Sequence, residues 1–120
     1  MRADTPMASW LSALGEEDRV VICAITRGEI LFGLERLAQG RRRTELEGKA
    51  ARLFAVLPCE PIAPAAGDLY AKVKASQQRL GVSLDENDLW VAATALAMEA
   101  TLVTRDSDFY GIAGLAVVQP

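Results

Sequence analysis

Histidine is absent from this sequence of 120 residues, and cysteine occurs only twice. Without histidine, the chain cannot use a histidine general base, a histidine-activated nucleophile or the common histidine-containing zinc sites. Cys23 and Cys59 do not have the spacing of metal ligands, and we expect both to be reduced and buried. Any catalytic chemistry of this chain must therefore depend on carboxylates.

Long apolar runs and an excess of positive charge are missing as well. No stretch approaches the roughly 18 apolar residues of a membrane span, and the N-terminal apolar run is too short for a signal peptide. The sequence therefore predicts a cytoplasmic protein without membrane contact. The net charge of −3 excludes a broad basic surface, so a nucleic-acid substrate would require a metal ion or a local basic patch.

Apolar residues are abundant, at 51% of the sequence, and they predict a single domain, residues 1–120, with one core. Three stretches have the character of strands, VVICAI, TLVT and LAVV, and the brief connection PCEPIAP is a candidate for a short edge strand. Between them, helical periodicity predicts helices over residues 6–14, 26–37, 41–57, 65–80 and 86–99. This alternation predicts an α/β sandwich with a mainly parallel sheet between layers of helices.

Four carboxylates follow strands or begin helices at what should be one edge of this sheet, where parallel sheets bind ligands. They are Glu29, Asp88, Asp106 and Asp108. Each has a structural alternative, because Thr26 with Glu29 and Asp85 with Asp88 have the spacing of capping boxes. The acids of TRDSDF could likewise be solvated turn residues.

The energies help to separate these interpretations. A good cap contributes about 1 kcal/mol, whereas two carboxylates about 5 Å apart repel by roughly 3 kcal/mol at an effective dielectric constant near 20. If the acids converge, capping cannot offset this repulsion. Convergence would require protonation or a hard divalent cation, and oxygen ligands favour Mg²⁺ or Mn²⁺.

Three segments resemble the PIN-domain family, and in particular VapC-type toxins of toxin–antitoxin pairs: AITRGEILFGLERL, ENDLWVAATALAMEATLVTRDSDF and GIAGLAVVQP. The resemblance implies a three-layer α/β/α sandwich and an endoribonuclease that uses Mg²⁺ or Mn²⁺ to hydrolyse RNA. It also implies that Glu29, Asp88 and Asp106 are the catalytic, metal-binding acids. Asp108 would be a further metal ligand, and Thr104 a supporting hydroxyl.

The resemblance also implies partners: an antitoxin and a second copy of the chain in a homodimer. The antitoxin would pack near the helix of residues 26–37, which is apolar on more than one side and has candidate contacts at Leu31, Phe32 and Leu34. A fully buried helix is the alternative. A basic triplet in the loop after Gly40 is a candidate RNA contact, although solvation or support of the next helix is the alternative. The triplet consists of Arg41, Arg42 and Arg43.

One departure concerns the first strand of the family's sheet, which ends in an aspartate that binds metal. Asp4 and Thr5 imitate that end, but only three residues precede them and Pro6 begins a helix. We therefore expect a truncated fold that lacks the strand and its acid. The alternative function is a catalytically impaired module that binds an antitoxin or self-associates. A receiver or phosphatase-like fold is disfavoured, since no strand ends in a nucleophilic aspartate followed by a later lysine.

Overall fold

The computed structural model describes residues 13–15 and 18–120. The helix predicted over residues 6–14 falls largely outside this range, as do Asp4 and Thr5. The described helices are α1 (Ala24–Glu35), α2 (Arg41–Val56), α3 (Pro64–Arg79), α4 (Glu86–Ala97) and a 3₁₀ helix (Ser107–Gly111). The described strands are β1 (Ile22–Cys23), β2 (Cys59–Glu60), β3 (Leu102–Val103) and β4 (Val117–Val118).

The chain divides into two compact units, and the first of them is Val20–Ile62. Here β1 runs parallel to β2, with Ile22 opposite Cys59. Only two residues of the predicted strand VVICAI are extended. Pro58 and Pro61 bound β2, and proline has no N–H to donate, so they limit the length of this pairing.

Helix α1 begins at Ala24, inside the segment that was predicted to be a strand, and ends at Glu35. Its N-cap is Cys23, whose side chain makes no capping hydrogen bond. Thr26 therefore lies within the helix and Glu29 in its second turn. The predicted capping box of Thr26 and Glu29 is wrong.

Helix α2 agrees closely with its prediction, but the basic triplet lies in its first turn and not in a loop. Gly40 precedes the helix with φ of 154°, a conformation that favours glycine. Arg43 is only 11% exposed and pairs with Glu35 at 3.3 Å and with Glu47 at 3.2 Å. It also donates to the carbonyl oxygen of Leu37 at 3.1 Å, which fastens the end of α1 to the start of α2.

The second unit contains Ala63–Pro120, with α3, α4, β3 and β4. Pro64 opens α3, and Gly81, with φ of 73°, follows its end. Helix α4 packs against α3 and has six buried residues: Leu89, Val91, Ala92, Ala93, Thr94 and Ala95. The buried Thr94 hydroxyl donates to the carbonyl oxygen of Trp90 at 2.8 Å, so this polar group is satisfied within the helix.

Strands β3 and β4 pair in parallel, with Leu102 opposite Val117. Between them, the 3₁₀ helix buries Phe109, and Ile112 is buried directly after it. In the described part of the chain, both strand pairs are parallel and form separate two-stranded sheets. The predicted mixture of helices with parallel strands is thus confirmed, although every strand is shorter than its apolar stretch.

Two simpler expectations can be compared with the described residues. Both cysteines are free, as expected, but Cys59 is exposed and Cys23 half-buried, so the prediction that both are buried is wrong. Cys59 lies on β2, which forms a two-stranded sheet with β1 in the described part of the chain. No helix in the described ranges is long and apolar enough to cross a membrane.

Candidate functional site

The first turn of α4 carries Asp88, which is half-buried. Asp85 occupies the N-cap position, yet its side chain makes no capping hydrogen bond. The predicted capping by Asp85 is therefore not formed. Capping by Asp85 does not account for the acidic cluster at this helix end, although Glu86 and Asp88 still interact favourably with the positive end of the helix dipole.

The acids of TRDSDF build the turn that follows β3. The Thr104 hydroxyl oxygen accepts from the backbone N–H of Asp106 at 3.1 Å, and an Asp106 carboxylate oxygen accepts from the backbone N–H of Asp108 at 2.9 Å. Asp106 thereby caps the 3₁₀ helix, and both carboxylates are exposed. The turn role, given above as the alternative for these acids, is present in the structure.

A short connection relates this turn to the start of α4. Four residues, 98–101, separate α4 from β3, and Glu99 has φ of 53°. We infer that β3 runs back along α4, because so short a connection after a helix reverses the chain. This topology agrees with the prediction that Asp88, Asp106 and Asp108 share an edge of the second unit, and their convergence stays a prediction.

Glu29, the remaining predicted acid, is exposed on α1 in the first unit. Among the residues that the structure describes, no three or more acidic or cysteine side chains are grouped so as to hold a metal ion. The predicted metal ligands are therefore not assembled into one cluster in the described part of the chain, and metal binding by them stays a prediction.

A polar cluster between α3 and α4 was not predicted from the sequence. Glu86 accepts hydrogen bonds from the Tyr70 hydroxyl and from the Lys74 ammonium, the latter at 2.9 Å. The hydrogen bond from Tyr70 lowers the pKa of Glu86 most, and the bond from Lys74 lowers it further. The pKa of Lys74 is raised by its hydrogen bonds with Tyr70 and Glu86. The spacing of Tyr70 and Lys74 on one helical face was the only signal in the sequence.

The first unit has an open groove between α1 and α2 with a volume of about 440 Å³. Its lining is mostly aliphatic and includes Leu34 and Leu53, with Arg42 and Lys49 as its charged residues. Nearby on α1, Leu31 is 41% exposed and Phe32 is 64% exposed. A fully buried α1 is excluded, since none of its residues is buried.

Comparison with known proteins assigns the family. The sequence model of the PIN domain family matches residues 3–115. The chain belongs to the PIN domain family. The PIN-domain resemblance inferred from the sequence is thereby confirmed, and this single match spans both compact units.

Named relatives of this PIN domain include toxins. It is 34% identical to the VapC ribonuclease Y4jK of Sinorhizobium fredii, over 98% of this chain and 85% of the relative. It is 32% identical to the toxin FitB of Neisseria gonorrhoeae, over 95% of this chain and 84% of the relative. Similarity to VapC-type toxins is therefore confirmed as well.

Solved structures support the same fold. VapBC2 from Rickettsia felis, bound to a DNA fragment from its promoter, matches with a TM-score of 0.84 at 21% identity, over 93% of this chain and 83% of that one. FitAcB from Neisseria gonorrhoeae matches with a TM-score of 0.79 at 27% identity, over 91% and 80%. These likenesses confirm the α/β fold of PIN domains.

Proposed function

We propose that this PIN domain is a cytoplasmic endoribonuclease toxin that hydrolyses RNA and is neutralised by a cognate antitoxin. The observation that carries the proposal is the 34% identity to a VapC ribonuclease across 98% of the chain. The chemistry agrees with this assignment, because a chain without histidine must use carboxylates, and the order of elements predicts three of them at one edge of the second unit.

Dependence on Mg²⁺ or Mn²⁺ is part of the proposal. Its support is the nature of the candidate groups, which all offer oxygen and thus suit hard divalent cations. The candidate ligands are Glu29, Asp88, Asp106 and Asp108, with Thr104 as a supporting hydroxyl. Removal of divalent cations with EDTA should abolish cleavage, and added Mg²⁺ or Mn²⁺ should restore it.

The decisive variant is Asp88→Asn, compared with Asp85→Asn as a matched control in the same helix turn. Asparagine has nearly the size and shape of aspartate, and the loss of one negative charge at a helix start costs about 1 kcal/mol or less, so neither variant should lose much stability. Because a carboxylate that handles a proton typically contributes about 10²-fold or more, Asp88→Asn should reduce cleavage of RNA by at least about 100-fold. Asp85→Asn should retain it.

The outcome can contradict the assignment in two ways. Equal cleavage by Asp88→Asn and the unmodified chain would show that Asp88 is not catalytic. No cleavage by the unmodified chain, with or without divalent cations, would contradict the ribonuclease itself. Glu29→Gln provides an independent test of the acid in the first unit.

A second function, antitoxin binding with impaired catalysis, is favoured by two observations. The described acids do not form a three-ligand cluster, and α1, which lines an aliphatic groove, also exposes Leu31 and Phe32. Apolar surface of this kind marks interaction sites. Arg42 and Lys49 at the groove favour an amphipathic partner segment with acidic residues.

This second function and the first differ in one measurement. A catalytically impaired module would form a stable complex with its antitoxin yet leave RNA intact under every metal condition. A toxin would cleave RNA when free and stop when bound. Sedimentation of the free chain would also test the homodimer, which stays a prediction.

RNA contacts of the basic triplet also stay predictions, but the structure separates its members. Arg43 is held by Glu35, Glu47 and the end of α1, and these contacts support the alternative that it stabilises the next helix. Arg41 and Arg42 are exposed in the first turn of α2. We propose these two for phosphate contact, tested by the salt dependence of RNA binding in charge-removing variants.

A further inference from the structure

Helix α3 contacts the first two turns of α4 at two places. Trp90 stacks on Tyr70, with ring centroids 4.1 Å apart and ring planes inclined by 10°. One turn earlier, Glu86 accepts hydrogen bonds from Tyr70 and Lys74. Lys74 also donates to the Tyr70 oxygen at 3.0 Å, so the two donors support each other. Both contacts act on one face of α4.

Asp88 lies midway in sequence between Glu86 and Trp90, the two residues of α4 that contact α3. At about 100° per residue, it is rotated by about 200° from both Glu86 and Trp90 around the helix axis. Asp88 therefore leaves α4 on the side opposite to the face held by α3. Since a helix turns as a rigid body, fixing Glu86 and Trp90 on α3 also fixes the direction of Asp88.

We propose that Tyr70 and Lys74 are positioning residues that direct Asp88 into the candidate site by fixing the rotation of α4. This inference rests on the proposed function, in which Asp88 is a catalytic acid. Misplacement of a catalytic group by about 1 Å can reduce a rate by about 10²-fold. The contacts therefore matter more for turnover than their partial exposure would suggest.

The test uses the full chain and separates the two contacts. Tyr70→Phe keeps the ring stack and removes the hydroxyl, whereas Tyr70→Ala removes both. Lys74→Met removes the ammonium, and Lys74→Arg restores a cation. Lys72→Met is the matched control, because Lys72 is an exposed lysine on the same helix.

Three quantities are measured: kcat and KM for RNA cleavage, the melting temperature, and amide hydrogen exchange in the first two turns of α4. We expect Tyr70→Ala to lower kcat by about tenfold or more with little change in KM. Exchange at these amides should accelerate selectively, since local opening follows the loss of local contacts. Tyr70→Phe and Lys74→Met should have smaller effects, and Lys74→Arg should recover most of the rate.

The outcomes separate this inference from the proposed function. If kcat of the folded variants and hydrogen exchange match those of Lys72→Met, positioning by Tyr70 and Lys74 is disproved while the ribonuclease stands. A lower melting temperature with unchanged kcat would assign the pair to stability alone. If the unmodified chain cleaves no RNA, the catalytic consequence fails together with the proposed function, and hydrogen exchange still decides whether α3 holds the first turns of α4.

Discussion

The helices of the two units differ in how many of their residues are buried. In Ala63–Pro120, α4 buries six residues, including Ala92 and Ala93, which are fully inaccessible. In Val20–Ile62, α1 buries none and α2 buries only Ala50. Helix α1 is nevertheless rich in leucine and isoleucine, so its exposure is not explained by a polar sequence.

This difference indicates a division of tasks. A helix packed on several sides can hold an acid in a fixed direction, which suits catalysis. An apolar helix that is left open can gain binding energy by burying its side chains against another protein. The second unit is therefore the better support for candidate acids, and the first unit is the better candidate for partner binding.

The largest effect on stability should come from truncating the buried Leu89 of α4, compared with the exposed Leu31 of α1. Leu89 is 3% exposed on α4, and Leu31 is 41% exposed on α1. Leu89→Ala leaves a cavity and should lower the free energy of unfolding by about 2–5 kcal/mol. Leu31→Ala should change it by less than about 1 kcal/mol. Equal losses in urea unfolding would show that the two helices are not packed differently.

Antitoxin binding, in contrast to stability, should depend on the exposed side chains of α1. Phe32→Ser removes an aromatic side chain that is 64% exposed, so we expect little loss of stability but at least a tenfold loss of antitoxin affinity, about 1.4 kcal/mol. Val56→Ser is the control, because Val56 is 71% exposed at the end of α2 and is not a predicted antitoxin contact. Calorimetric titration that finds equal affinities for both variants would exclude Phe32 as a contact.

Helix bounds are the part of the fold that the sequence predicts best. Predicted bounds for all four α-helices lie within two residues of those observed, because apolar periodicity reports which face a helix buries. The start of α1 was misplaced because VVICAI is apolar throughout, and such a run suits either a strand or a buried helix. Only Ile22 and Cys23 of this run pair with the short, proline-bounded β2, and the helix begins directly after them at Ala24.

Prediction of the candidate site was limited by the same kind of information. The acids could be placed near helix starts and strand ends from the order of elements alone. The stacking of Tyr70 on Trp90 could not be predicted, because it depends on which faces of α3 and α4 meet. Likewise, the spacing of Asp85 and Asp88 suggested a cap, but the Asp85 side chain does not form one.

Arg43 allows a smaller test, within the first unit. Its guanidinium joins the end of α1 to the start of α2, whereas Arg41 in the same turn is exposed. Arg43→Gln should lower the melting temperature by less than Leu89→Ala does, because side-chain contacts at a helix end contribute less than a buried leucine. Arg41→Gln should leave it unchanged and weaken RNA binding instead. If Arg43→Gln weakens RNA binding without lowering stability, the structural role is wrong.

The smallest effect concerns pH and the pair of Glu86 with Lys74. Hydrogen bonds from Tyr70 and Lys74 hold the pKa of Glu86 below its usual value of 4.5 in the folded chain. A carboxyl with a lowered folded pKa stabilises the fold above its unfolded pKa, and this contribution is lost as pH falls through the folded pKa. We therefore expect the melting temperature to fall below about pH 4.5 less steeply for Glu86→Gln than for the unmodified chain. Because Glu86 is exposed and its ion pair is screened, the difference between the two proteins should be small and should shrink further in high salt. Parallel curves of melting temperature against pH at low salt would show that the pair does not stabilise α4.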